Sequence, residues 1–274
     1  MKTDWHQDKV RINDGIELFY TRTGQGEKPV IILAHGVTDS GLCWHQLAGD
    51  LEQKFDLIMY DAQGHGKSSR VSLDKPVDLV KDLHDLIETL KLDKPCVIGH
   101  SMGASTAAEF AATYPEMLKA LILEDPPWSE LEISDDQSKA NMQAWKKQNL
   151  AAKKKTVSEL VRLKKRESPK WQEAILEDWA QAKLDVDPAI FDQPNIIIKD
   201  WRRQASAIQV PTLIITGDQE LGAIVSLKVG LEAVQLLKHG EFGHISSAGH
   251  CVRYEQYNPY LTMINLFLKR NLPA

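Results

Sequence analysis

Short apolar runs recur along the chain, and each stops at a glycine, a proline or a charged turn. Val30–Ala34 ends in His35-Gly36, Asp56–Tyr60 ends in Asp61, and Cys96–Ile98 runs into Gly99-His100-Ser101. Leu121–Leu123 is halted by Glu124-Asp125-Pro126-Pro127, and Pro211–Thr216 ends at Gly217-Asp218. Uninterrupted runs of this length suit strands buried on both faces, as in a parallel sheet. Between them the period changes. Leu79, Val80, Leu83, Leu86, Ile87 and Leu90 form a helical stripe, and Ala104–Tyr114 reads as an alanine-rich helix with Pro115 just past its end. A Val- and Leu-rich helix extends to Leu237, and Tyr257–Leu268 closes the chain as an amphipathic helix. A further strand is predicted near Phe242–Ile245. Val10–Tyr20, with Asn13-Asp14-Gly15 at its centre, predicts an N-terminal hairpin. Alternating strands and helices define the class as α/β, a parallel, doubly wound sheet.

Residues 128–208 break the alternation. They lack strand runs and carry Lys146-Lys147, Lys153-Lys154-Lys155 and Lys164-Lys165-Arg166, with five of the seven tryptophans (Trp128, Trp145, Trp171, Trp179, Trp201). The block reads as a helical cap over the strand ends, inserted into a core formed by 1–127 and 209–274. The lysine runs are expected to be a solvated helix face. Most of the tryptophans should pack the cap, with Trp128, just past a strand end, the expected exception.

Composition narrows the function classes. With 43% hydrophobic and 26% charged residues and a net charge of −5, nothing drives the chain toward nucleic acid or an anionic membrane. Its apolar runs are too short to span a bilayer, and the polar Met1–Lys9 cannot form the apolar core of a signal peptide. Three scattered cysteines, Cys43, Cys96 and Cys251, fit reduced thiols in the cytoplasm better than a disulfide framework or a zinc site. The expected partner is a small molecule.

In sheets of this kind ligands bind at the carboxyl ends of the strands, where every candidate residue falls. Gly99-x-Ser101-x-Gly103 is a nucleophile-elbow pattern, set between a strand and a helix. Small neighbours let strand and helix approach around a strained serine. A serine hydroxyl needs a base, and His250, in the loop before the last helix, is the candidate. His244 falls in a strand and reads as structural. His100 should point away from the nucleophile, and His35 and His65 either line the site or satisfy backbone groups. Asp125, Asp218 and Glu220 each follow a strand and lie between the serine and His250 in the chain, so spacing alone leaves the orienting acid open. Two amides are expected to receive the developing oxyanion, that of Met102 and, most simply, that of Val37 after His35-Gly36.

These pieces, together with Asp61-x-x-Gly64-x-Gly66-x-Ser68, Gly217-x-x-Glu220 and Gly249-His250, resemble the α/β-hydrolase family in content and order. The resemblance implies a mostly parallel sheet of about eight strands with a helical cap inserted after strand six. It puts the acid at Glu220, where most members carry aspartate and some lactonase-like members resemble this chain in carrying glutamate. A serine at the elbow argues against the haloalkane dehalogenases and epoxide hydrolases of this fold, which use aspartate there. The implied activity is hydrolysis of small or medium carboxylic esters or lactones through an acyl-enzyme, requiring no metal or organic cofactor. Carbon–carbon bond hydrolysis or perhydrolysis by the same residues is the alternative, and a binding protein with vestigial catalysis the third.

Overall fold

A computed structural model describes residues 5–72, 74–130, 134–194, 196–197 and 200–273. The first residues of the polar N-terminus, Met1–Asp4, lie outside them. Eight strands form one sheet: β1 (His6–Arg11), β2 (Glu17–Arg22), β3 (Val30–Ala34), β4 (Asp56–Tyr60), β5 (Cys96–His100), β6 (Ala120–Glu124), β7 (Thr212–Thr216) and β8 (Gly240–His244). Their spatial order is β1-β2-β4-β3-β5-β6-β7-β8. The hairpin β1–β2 and the pair β2–β4 are antiparallel, and all other pairs are parallel. The hairpin turns through a short 3-10 segment at Asn13–Gly15.

The helices in the described residues are α1 (His45–Leu51), α2 (Leu79–Thr89), α3 (Met102–Thr113), α4 (Asp135–Ala152), α5 (Val157–Glu167), α6 (Glu173–Asp185), α7 (Trp201–Ala207), α8 (Leu227–Leu236), α9 (Val252–Glu255) and α10 (Tyr257–Asn271). None is long and apolar enough to cross a membrane. The two-residue period of a strand sends alternate side chains to opposite faces, and two cores result. Ile32, Val97, Leu121 and Ile214 pack with α2, α3, α7 and α8. Ile31, Leu33, Ile98, Ile122 and Leu213 pack with α1, α9 and α10. Burial on both faces explains why these strands read as continuous apolar runs.

The helices between β6 and β7 reach both cores. Trp171, Ile175 and Leu176 join one, and Val186, Ile190, Phe191 and Trp201 join the other. Within the block, α5 packs on α6, and α6 rests on the 3-10 turn Gly41–Trp44, whereas α7 packs on α3 and α8 as part of the helical layer against the sheet. Trp128 does not stand apart as expected. It is fully buried, stacks on Trp201 at 5.4 Å and donates from Nε1 to Gln204 Oε1 at 3.2 Å. The lysine runs are mixed: Lys147, Lys154 and Lys165 are exposed, whereas Lys146 pairs with Asp192 and Lys164 lies 4.1 Å over the Trp171 ring.

Candidate active site

Ser101 caps α3 directly after β5 with φ 52° and ψ −115°, a conformation that costs a non-glycine residue about 1–3 kcal/mol. Neighbouring glycines permit it. A Cβ on Gly103 would lie 2.2 Å from the carbonyl oxygen of Ala34, and one on Gly99 would lie 2.5 Å from that of Gly103. The strand–helix crossing is therefore closed to any larger residue. Ser101 itself is 6% exposed, with Gly36 at its side: a Cβ there would be 3.6 Å from the serine Cβ.

His250 follows β8 as expected, and its partner is Asp125. Nδ1 donates to Asp125 Oδ2 at 2.6 Å, which leaves Nε2 as the ring's acceptor. Asp125 begins the turn after β6, also in the left-handed region at φ 41°, and is fully buried. Its carboxylate accepts three further bonds, from Thr216 Oγ1 at 2.7 Å, Ile224 N at 2.8 Å and Val225 N at 3.0 Å. The end of β7 and the segment after it, expected to supply the acid, instead supply donors to Asp125.

Glu220 sits exposed in a 3-10 turn at Gln219–Leu221, and no hydrogen bond or ion pair joins it to His250. The chain passes close to the histidine loop here: a Cβ on Gly217 would lie 2.1 Å from the carbonyl oxygen of Ala248. Asp218 braces the histidine loop, accepting from Ser247 N at 2.7 Å and pairing with His244 at 2.9 Å. His100 meets the same loop. Its Nε2 donates to the carbonyl of His250 at 2.9 Å, and the two rings lie 4.7 Å apart. Burial, with Arg253 and His250 nearby, holds the His100 ring well below the ordinary histidine range, hence neutral.

The loop after β3 forms a turn closed by Asp39 N to Gly36 O at 3.0 Å. His35 Nδ1 also donates to Gly36 O at 2.8 Å, while its Nε2 accepts from Ala62 N at 3.0 Å. His65 Nε2 lies 2.8 Å from Val37 O and its Nδ1 3.0 Å from Gln63 O. Burial pushes both His35 and His65 down to about 4. Asp61 accepts from Gly41 N at 2.7 Å and Lys67 N at 2.8 Å, and Ser68 Oγ donates to Asp61 O at 2.6 Å. The Asp61–Ser68 motif therefore braces this loop. Among the described residues the amides of Val37 and Met102 have no acceptor: Val37 is the second residue of the turn, and Met102 opens α3.

Three buried charges, Arg253, Glu124 and Asp39, and the partly buried Lys183 adjoin the site, none of them predicted. Arg253 donates to Glu124 at 2.9 Å and approaches Asp39 at 3.7 Å, and Lys183 of α6 reaches Asp39 at 2.8 Å. Burial pushes the Asp39 carboxyl up, but Lys183 and Arg253 outweigh it and hold it well below the usual range. An arginine three residues after His250 was visible in the sequence, whereas no pattern marks Lys183. Among the described residues no group of three His, Cys, Asp or Glu side chains could hold a metal ion.

A family model described as alpha/beta hydrolase fold matches residues 29–257, and the chain belongs to that family. Epoxide hydrolase 1 of Caenorhabditis elegans is 25% identical over 98% of this chain and 70% of its own. A putative 2-succinyl-6-hydroxy-2,4-cyclohexadiene-1-carboxylate synthase of Bacillus subtilis is 26% identical over 94% of this chain and 97% of its own. Uncharacterized mycobacterial proteins match at 33% identity over 99 residues, 36% of this chain and only 29% of theirs. In fold, the enol-lactonase of Burkholderia xenovorans superposes with a TM-score of 0.75 at 20% identity, covering 96% of this chain and 100% of its own.

Proposed function

We propose that the chain is a serine hydrolase of small or medium carboxylic esters or lactones, working through an acyl-enzyme on Ser101. The observation that carries this reading is the 2.6 Å bond from His250 Nδ1 to the buried Asp125 carboxylate, beside a serine held in a strained turn. Asp125, not Glu220, is the acid of the triad in this reading. His250 takes the proton of the Ser101 hydroxyl as Oγ attacks the carbonyl carbon, and Asp125 stabilises the resulting imidazolium. The amides of Val37 and Met102 receive the oxyanion. Collapse of the intermediate expels the alcohol with the proton from His250, and water activated by the same ring releases the acid. An aspartate nucleophile of the epoxide-hydrolase kind has no counterpart at position 101, which supports acyl chemistry over epoxide opening.

Within the inserted block α4–α6 act as the cap, lying over the strand ends and shaping the acyl or lactone site. The three free cysteines accord with a cytoplasmic setting. A panel of p-nitrophenyl esters of increasing acyl length and lactones of increasing ring size tests the function. Turnover by the native chain and loss of turnover in Ser101→Ala are expected, and full activity in the variant would sink the reading.

A further inference from the structure

The geometry points to Lys183, on α6 of the inserted block, as a positioning residue for the oxyanion-binding loop, an inference that rests on the serine-hydrolase reading above. Its ammonium donates to Thr38 O at 2.6 Å, Thr38 Oγ1 at 2.8 Å and Asp39 Oδ1 at 2.8 Å. All three of its protons are thus spent on the two residues that follow Val37. The lysine side chain is 14% exposed, so little solvent screens it.

The bonds form a relay that ends on the Val37 amide. Lys183 holds the carbonyl of the Thr38–Asp39 peptide, and the N–H of that same peptide donates to Gly36 O at 3.0 Å. Gly36 O belongs to the peptide whose other end is the Val37 N–H. In a trans peptide the N–H points opposite to the carbonyl, so anchoring Gly36 O aims the Val37 amide. Hydrogen bonds in series also polarise one another. A full positive charge at the far end therefore makes the Val37 N–H a stronger donor.

Lys183 is itself held in place. Its ammonium lies 5.1 Å over Trp179, which packs edge-on against Trp171, and Trp171 meets Tyr254 at 4.5 Å. Arg253 stacks on Tyr254 at 4.4 Å and returns to Asp39 at 3.7 Å. The ring of contacts ties the inserted block to the segment just after His250. It also leaves Asp39 with a cation when Lys183 is removed, so a substitution there does not strand a buried charge.

The test is the rate at which a fluorophosphonate labels Ser101, read alongside kcat and KM on a p-nitrophenyl ester, for native chain, Lys183→Met, Lys183→Gln and Lys183→Arg. Removing an oxyanion donor outright costs about 10²–10³ in kcat, and weakening one should slow both labelling and kcat by roughly 10- to 100-fold in Lys183→Met. KM should stay within about threefold, and Lys183→Arg should recover most of the rate. If Lys183→Met fails to fold, Lys183→Gln, which keeps a donor without the charge, should still slow labelling several-fold. Labelling of either neutral variant within twofold of the native rate, or an effect confined to KM, overturns the assignment. A native chain that is not labelled at Ser101 while Ser101→Ala is equally inert refutes the serine reading itself, and this inference with it.

Discussion

Asp125→Asn separates the acid from its alternatives, and the surrounding hydrogen bonds set the size of the effect. All four groups around the carboxylate are donors. An amide NH2 fits only beside Thr216, whose hydroxyl can accept it while donating to Val225 O at 3.0 Å. The amide oxygen then keeps Ile224 N and His250 Nδ1, and the Val225 N–H alone loses its acceptor. One orphaned buried donor costs about 1–3 kcal/mol, or a fall in Tm of roughly 2–10 °C at this chain length. The chain should therefore fold. Catalysis suffers far more, because a neutral amide does not stabilise the imidazolium. In a Ser-His-Asp triad this change lowers kcat about 10⁴-fold, equivalent to roughly 5 kcal/mol of barrier. Steady-state kinetics on the best ester, with Tm by scanning calorimetry, should show kcat down about 10³–10⁴-fold and KM little changed. Glu220→Gln and Asp218→Asn should stay within a few-fold of the native kcat. Near-native turnover by Asp125→Asn, or a collapse of kcat in Glu220→Gln, would refute the assignment.

Three further outcomes follow from packing and charge. Gly103→Ala puts a Cβ 2.2 Å from the Ala34 carbonyl, so it should cost about 1–3 kcal/mol or more, seen as a lower urea midpoint; an unchanged midpoint would deny the tight strand–helix contact. Arg253→Met strands the buried Glu124 carboxylate and should cost about 3–5 kcal/mol, part of which Glu124→Gln added to it should restore; a double variant no more stable than Arg253→Met would contradict that pairing. His35 and His65, held at about 4 against an ordinary 6.5, stay neutral in the fold while the unfolded chain takes up protons. Their contribution is complete above pH 6.5 and lost as pH falls toward 4, about 3 kcal/mol for one ring. Tm should therefore drop across that window, less steeply in His65→Gln, and a flat profile would show that the rings are not buried neutral.

Strand ends were legible because buried parallel strands must be continuously apolar and must stop where the chain turns. The positions of Ser101 after β5 and His250 after β8 were legible in local patterns, since glycine spacing and chain order are written in sequence. The histidine's partner was not. Asp125 and Glu220 both follow strands, and what separates them is the exposed turn that holds Glu220, together with three donors that converge on Asp125, Thr216 at the end of β7 and the Ile224 and Val225 amides beyond it. Such convergence joins positions far apart in the chain. The burial of Trp128 has a similar origin: its stacking partner, Trp201, comes from the far end of the inserted block. Lys183 carries no signal at all, because its effect depends on where α6 docks.

A hydrolase of this mechanism passes through a covalent bond to Ser101, and that bond can be trapped. Turnover of a p-nitrophenyl ester, quenched in acid within the first catalytic cycles, should leave the acyl mass on the peptide containing Ser101, with none in Ser101→Ala. An acyl group on another residue, or continued turnover by Ser101→Ala with no adduct in the native chain, would contradict the account.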